Sequence, residues 1–327
     1  MRIRLLAAAL IIAAIWPAPS WSAPPGWPES LTIGTASPGG FYPIYGEALA
    51  QILTDALGIP VSPQATQGSA QNILLLESGN LQLGLVIAGI ALEGWNGTGG
   101  WTRDQKLRSI RALVPMYDAP ITMVALKSSG IRSLPDMAGK RVAPGPPSSA
   151  GGIYAKKLFD LLGIQPTWRY GAYDTLSTEM QSGLVDALVS TIATPAPILT
   201  ELDRTGEIRF VPMSADEITR LCTAMPELSP SVVPAGTYPS MTTDYTTVGF
   251  FNFVVAGKDL PDDLVYGVVK AFYANHDRLV TAVPAARQSV AENAKSISVI
   301  PFHPGALRYY RELGVEIPDA VSKASAQ

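Results

Sequence analysis

The chain carries one internal repeat, and its register constrains the fold more than any single residue does. The first copy runs from Ser37-Pro-Gly-Gly40 through a helical stretch ending at Leu57-Gly58-Ile59-Pro60. A second helix follows to Glu77-Ser78-Gly79, and then an apolar strand from Leu81 to Val86. The second copy runs from Gly145-Pro-Pro-Ser-Ser149 through a helix ending at Leu162-Gly163-Ile164. It continues to Gln181-Ser182-Gly183 and a strand from Leu184 to Val189. Gly58 and Gly163 are 105 residues apart and Gly79 and Gly183 are 104 apart. A register that survives two helices implies two α/β lobes of the same construction, with Ser/Gly-rich loops where strands end. Two such lobes enclose a cleft.

At 327 residues the chain has the length of about two ordinary domains. It is 47% hydrophobic and 16% charged, which supplies two cores and excludes a disordered chain. A net charge of -3 offers no basic field for nucleic acid, so that class of partner is set aside. The N-terminus reads as a secretory signal over residues 1–22. Arg2 and Arg4 precede an apolar run from Leu5 to Ile15, and Ser20-Trp-Ser22 offers small residues at a cleavage site. The expectation is an exported, periplasmic protein, with an uncleaved anchor as the alternative. Cys222 is the one cysteine, so no intrachain disulfide and no thiolate cluster can form, and the thiol reads as structural.

Along the chain, Leu31–Ile33 reads as the first strand and Ile44–Leu57 as an amphipathic helix stopped by Gly58. Ser69 reads as the N-cap of a helix over 70–78, and 81–86 as a buried parallel strand. Residues 112–125 and 248–255 read as two crossings between the lobes, which would form a hinge. The predicted organisation is lobe one at 28–117 and 248–327, including the C-terminal helices, and lobe two at 118–247.

Several motifs in order carry a family resemblance. They are Ile33-Gly-Thr-Ala-Ser-Pro-Gly-Gly-Phe-Tyr42 with Gly46, Thr66-Gln-Gly-Ser69 with Asn72, Trp95-Asn-Gly97, and Lys140-Arg-Val142. Further along stand Thr194-Pro-Ala-Pro197, Pro234-Ala-Gly-Thr-Tyr-Pro239, and Pro301-Phe-His-Pro-Gly305 with Arg308-Tyr-Tyr310. Together they resemble the TAXI-type solute receptors of TRAP transporters over essentially the whole mature chain. The resemblance implies a type II periplasmic binding fold, α/β in class, with two lobes joined by a two-strand hinge. It implies capture of a small-molecule solute, usually an organic acid or amino acid, and delivery to TRAP membrane subunits driven by an ion gradient. No cofactor or metal is implied, and a monomer is expected. The chain departs from the family's pattern at Ile87-Ala88-Gly89, where polar residues are common, so that wall of the cleft is expected to be less polar.

In lobes of this kind ligands sit beyond the carboxyl ends of strands, where helix N-termini present unpaired N–H groups to an anion. The candidate ligand residues in lobe one are Ser37, Gly39, Gly40, Phe41, Tyr42, Thr66, Gln67, Ser69 and Ala88. In lobe two they are Ser148, Ser149, Gly151, Tyr173, Thr194, Pro195, Thr237 and Tyr238. Each has a plainer reading as turn, cap or loop tip. Arg169, near a strand end, reads more simply as solvated surface. His276 and His303 lie away from the inferred cleft, and no Gly-x-Ser-x-Gly elbow, His-Glu-x-x-His helix or phosphate loop is present, so the chain does not read as an enzyme. A receptor serving another transporter class or a membrane sensor would have the same cleft chemistry.

Overall fold

The computed structural model describes residues 24–225 and 227–318, so the signal reading of residues 1–22 lies outside the described residues. Lobe one begins with β1 (Leu31–Gly34), α1 (Phe41–Leu57), β2 (Val61–Gln64), α2 (Ser69–Glu77), β3 (Leu83–Ile87) and α3 (Ala88–Asn96). The long strand β4 (Ile110–Leu126) leads into β5 (Arg141–Ala143), α4 (Ala150–Leu162), β6 (Thr167–Trp168), α5 (Tyr173–Gln181) and β7 (Ala187–Thr191). Then come α6 (Pro197–Arg204), β8 (Ile208–Phe210), α7 (Ala215–Ala224), β9 (Ser229–Val233) and the second long strand, β10 (Tyr245–Gly257). The chain closes with α8 (Asp262–Ala274), α9 (His276–Ala282) and α10 (Pro304–Glu312).

The sheet order β2-β1-β3-β10-β4-β7-β5-β6 displays the repeat as symmetry. On one side the parallel set β2-β1-β3 meets β10; on the other the parallel set β6-β5-β7 meets β4. β4 and β10 pair antiparallel with each other from Ile110↔Gly257 to Pro120↔Gly249, and so belong to both halves. The repeated helices end alike: Gly58 and Gly163 stop α1 and α4 with φ of 71° and 75°, a left-handed backbone that costs glycine nothing. β3 is buried along its whole length, as a strand covered on both faces should be. After β10 the chain returns to lobe one. There α8 packs on α1 and α10, and His303 N–H donates to the Ala112 carbonyl at 3.0 Å.

Two local expectations change. Gly68, not Ser69, occupies the cap position of α2. Ser69 is the first helical residue, and its buried hydroxyl instead accepts from the Ile87 N–H at 3.2 Å, tying the helix start to the end of β3. The strand over 184–189 also starts later, at Ala187, because Leu184 is still in the turn that ends α5 and is 60% exposed.

A buried side chain holds the carboxyl ends of lobe one's strands in place. Asn72 Nδ2 faces the carbonyls of Gly34, Thr35 and Leu85 at 3.1, 2.8 and 2.8 Å, and its Oδ1 lies 2.7 Å from the Thr66 hydroxyl. Asn72 therefore clips α2 to β1 and β3 at the edge where ligand loops begin. Removing it strands these buried groups. Asn72→Ala is expected to cost about 3 kcal/mol, measured by urea unfolding at constant m-value.

Candidate functional site

Four helices of the repeat begin at one place. The N-termini of α1 and α2 from lobe one, and of α4 and α5 from lobe two, line a cavity at the junction of the lobes through Gly40-Phe41-Tyr42, Gly68-Ser69, Ser149-Ala150-Gly151 and Tyr173. Ala36, Tyr117, Thr191 and Ile192 complete the lining, and none of these residues carries a charge. The space open to the centres of water molecules is about 30 Å³, room for about two waters. The lobes are thus closed. Ala70 N–H reaches the Ser148 carbonyl across the gap at 3.3 Å, and a Cβ on Gly39 would lie 2.7 Å from the Asp174 backbone nitrogen.

Most of the cavity's hydroxyls are already engaged. Ser149 caps α4, accepting from Gly152 N–H at 3.0 Å and donating to the Pro146 carbonyl at 2.7 Å. Tyr173 donates to the Pro144 carbonyl at 3.2 Å. Tyr42 donates to Asn252 Oδ1 at 2.5 Å, while Asn252 Nδ2 donates to the Tyr117 carbonyl at 3.1 Å. Two buried hydroxyls on the lining have no protein partner, those of Tyr117 and Thr191. Burial pushes the Tyr173 phenol up to about 12, with hydrogen bonds to Ser149 and the Thr191 backbone opposing it. It also raises those of Tyr42 and Tyr117 well above the ordinary value, so all three rings stay protonated donors. Phe41 stands edge-on to Tyr117 with centroids 5.1 Å apart, giving the floor an apolar side.

The sequence-selected residues divide accordingly. Gly40, Phe41, Tyr42, Ser69, Ser149, Gly151 and Tyr173 line the cavity. Ser37, Gly39, Ser148 and Ala88 sit beside it without lining it. Thr66 faces Asn72 and Gln67 is exposed, its N–H accepted by Gln71 Oε1 at 2.6 Å. Thr194 and Pro195 lie beyond the cavity; Thr191 and Ile192, at the end of β7, take the lining position instead. Tyr238, expected in a loop over the cleft, is fully buried in lobe two, stacked on Phe210 with its hydroxyl accepting from Ala196 N–H at 2.9 Å. Neighbouring Thr237 bonds its own turn at Pro234. Arg169 is held by Glu179 through two contacts of 2.6 and 2.9 Å on the surface. Tyr117, Asn252 and Thr191 were not singled out from the sequence. Only the placement of Tyr117 and Asn252 on crossing strands signals them.

The Ile87-Ala88-Gly89 wall is packed by lobe two. Tyr154 of α4 places its hydroxyl where a Cβ on Gly89 would lie, with its ring against Phe250 at 4.3 Å between centroids. Beside it Lys157 pairs with the buried carboxylate of Glu93 across the lobes, and Trp101 Nε1 donates to the same carboxylate at 2.9 Å. Charge therefore sits at the lip of the cleft and not in the cavity.

This architecture, two α/β lobes sharing two hinge strands over a cavity of helix N-termini, is that of periplasmic binding proteins. The chain belongs to the NMT1-like family, whose description matches residues 33–314. Among solved structures it is similar to MatC from Rhodopseudomonas palustris with bound malate, at 14% identity and a TM-score of 0.56, over 87% of this chain and 96% of that one. It is similar too to the periplasmic binding protein BugD, at 15% identity and 0.55, over 89% and 99%. A protein from Bordetella bronchiseptica RB50 matches at 16% identity and 0.51, over 91% and 94%.

Gly39 has φ of 80° and abuts lobe two, so any side chain there both strains the loop and blocks closure. Gly40, by contrast, has an ordinary extended backbone and a looser surround, with its nearest neighbour at 3.2 Å. Gly39→Val is expected to lower affinity for a bound solute by at least about tenfold, with a smaller loss for Gly40→Ala, both read by calorimetry on folded protein.

Proposed function

We propose that the protein is a periplasmic receptor that closes its two lobes on a small organic anion. The observation that supports this most directly is the convergence of four helix N-termini on one uncharged, buried cavity. Each N-terminus brings up to about half a positive charge, although Asp174 in the first turn of α5 offsets that helix, and the Gly152 and Ala70 N–H groups are already accepted by Ser149 Oγ and the Ser148 carbonyl. An anion at their meeting point is stabilised without a counter-ion from lysine or arginine. The described lining offers no carboxylate, imidazole or thiol to serve as acid, base or nucleophile, which favours a binding protein over an enzyme.

The same reading assigns the sequence-selected loops their roles. Gly40 to Tyr42, Ser69, Ser149 and Gly151 hold the anionic group, and the aromatic rings of both lobes shape the remainder. The lobe limits follow as 28–117 with 248–327, and 118–247. The TAXI-type motifs favour delivery, as an exported monomer, to TRAP-type membrane subunits. A receptor for another transporter class, or for a membrane sensor, would use the same cavity. Uptake into vesicles containing the membrane subunits, with and without an ion gradient, separates these partners.

Thermal unfolding against carboxylates, amino acids and neutral controls tests the cavity. A carboxylate at about 100 times its Kd adds about 2.7 kcal/mol of stability, a rise of several degrees. Stabilisation only by uncharged solutes would overturn the anion reading. The pH dependence follows from the tyrosines. Their raised pKa values keep them protonated, and the solute carboxyl is already ionised, so affinity should be flat from about pH 6 to 9. It should fall only as acid protonates the solute, below about pH 4, a profile that calorimetry from about pH 3 to 9 reads directly.

A further inference from the structure

We propose that α3 and α4 form a catch between the lobes that closes without solute: Tyr154 seats in the notch that Gly89 leaves, and Lys157 pairs with Glu93 beside it. The catch is independent of what the cavity holds, because none of these four residues lines it.

The spacing gives each helix one working face. Gly89 and Glu93 stand four residues apart on α3, and Tyr154 and Lys157 three apart on α4, so each pair shares a face. One face presents a notch and then an anion; the other presents a ring and then a cation. The fit is close. A Cβ on Gly89 would lie 2.8 Å from Tyr154 Cζ and 3.0 Å from Phe250 Cε1, so any other residue at this position meets the seated ring. The Gly89 backbone is not left-handed, and inside a helix glycine is less favourable than alanine. Its backbone gives no reason for glycine; the seat does.

Each half of the catch is finished inside its own lobe. In lobe two, Tyr154 Oη donates to Glu227 Oε1 at 2.9 Å, and Lys157 Nζ lies 5.0 Å from the centroid of the same ring. In lobe one, Trp101 Nε1 donates to Glu93 Oε2 at 2.9 Å and leaves the other oxygen to Lys157. Gly94 admits that indole, since a Cβ there would lie 3.0 Å from Trp101 Cη2. Neither half waits for a solute to order it, so little side-chain freedom is lost when the two meet. In the closed form the Tyr154 ring is fully buried against Phe250, with centroids 4.3 Å apart, and burial of an aromatic ring favours the contact. Two other glycines of lobe one abut lobe two, Gly39 at Asp174 and Gly68 at Ser149. Gly68 lines the cavity and Gly39 lies beside it, so Gly89 is the seat that can be altered without disturbing bound solute.

Small-angle X-ray scattering on the solute-stripped protein reads the ratio of closed to open molecules. The wild type is expected to populate the closed form with no solute added. Gly89→Ala should lower the ratio at least about tenfold without lowering the unfolding temperature, because alanine favours the helix. Lys157→Glu, which sets a second carboxylate against Glu93, should lower it in the same direction. Adding Tyr154→Leu to Gly89→Ala removes the clash and should raise the ratio again, a rescue that damage to the fold would not give. A wild type wholly open without solute, or a Gly89→Ala ratio equal to its own, would overturn the catch and leave the receptor reading standing. Failure of the rescue would overturn the seating of Tyr154, and an unchanged ratio in Lys157→Glu would overturn the part of the ion pair.

Discussion

Everything in the site depends on the ladder between β4 and β10. Among the described residues these strands are the only ones that belong to both halves of the sheet, and β4 places Tyr117 on the cavity lining. Their pairing slips at Asn252, between Phe251↔Asp118 and Phe253↔Pro115. An irregularity of this kind re-aims a side chain that regular pleating would place elsewhere. Here Asn252 is turned to meet the Tyr117 carbonyl on the opposite strand and the Tyr42 hydroxyl at the start of α1. One buried amide thereby joins the hinge strands to the start of α1 at the cavity.

The repeat explains the helix starts around the cavity, and the hinge explains Tyr117 on its lining. Duplication sets equivalent helix starts, Gly40 with Ser149 and Gly68 with Ala172, around a shared centre, where three partial charges add and Asp174 in the first turn of α5 offsets the fourth. Symmetry alone would yield a site for a simple anion. The two unpartnered hydroxyls break that symmetry. Tyr117 comes from a crossing strand, and Thr191 ends β7, whereas the corresponding end of β3 runs straight into α3 and is covered by Tyr154. Tyr117 and Thr191 are thus lining residues at which the two copies differ.

Legibility in the sequence follows the same division. Gly58, Gly163 and the paired Ser-Gly turns are local signals, because a glycine past a helix has one physical reason to be there. They located α1, α2, α4 and α5 and the strands between them along the chain. Helix-start residues such as Tyr42 and Ser149 followed from that frame. What could not be read was side-chain direction. Thr66 looks like a ligand hydroxyl until Asn72 claims it, and Tyr238 looks like a lid until Phe210 and the Ala196 N–H bury it. Tyr117 and Asn252 sit in apolar strands where periodicity predicts only core. Their importance arises from a slip in strand pairing that leaves no mark in hydropathy.

The distribution of charge across the cleft completes the logic. In a cavity without charged side chains, an anion feels only fixed dipoles, which need no rearrangement when it enters or leaves. The full charges are held outside, where Glu93 and Lys157 pair between the lobes and Tyr154 donates to Glu227 at 2.9 Å. Lys157 is half-exposed while Glu93 is buried, so opening the lobes exchanges a shielded pair for two hydrated ions. That exchange is close to balanced, because desolvation offsets most of the Coulombic attraction. With a nearly neutral lip, an open–closed equilibrium is shifted only by contacts that differ between the two states, and Ala70 N–H to the Ser148 carbonyl is one that spans the lobes. Separating the charged lip from the neutral floor thus lets one fold combine easy opening with selective closure.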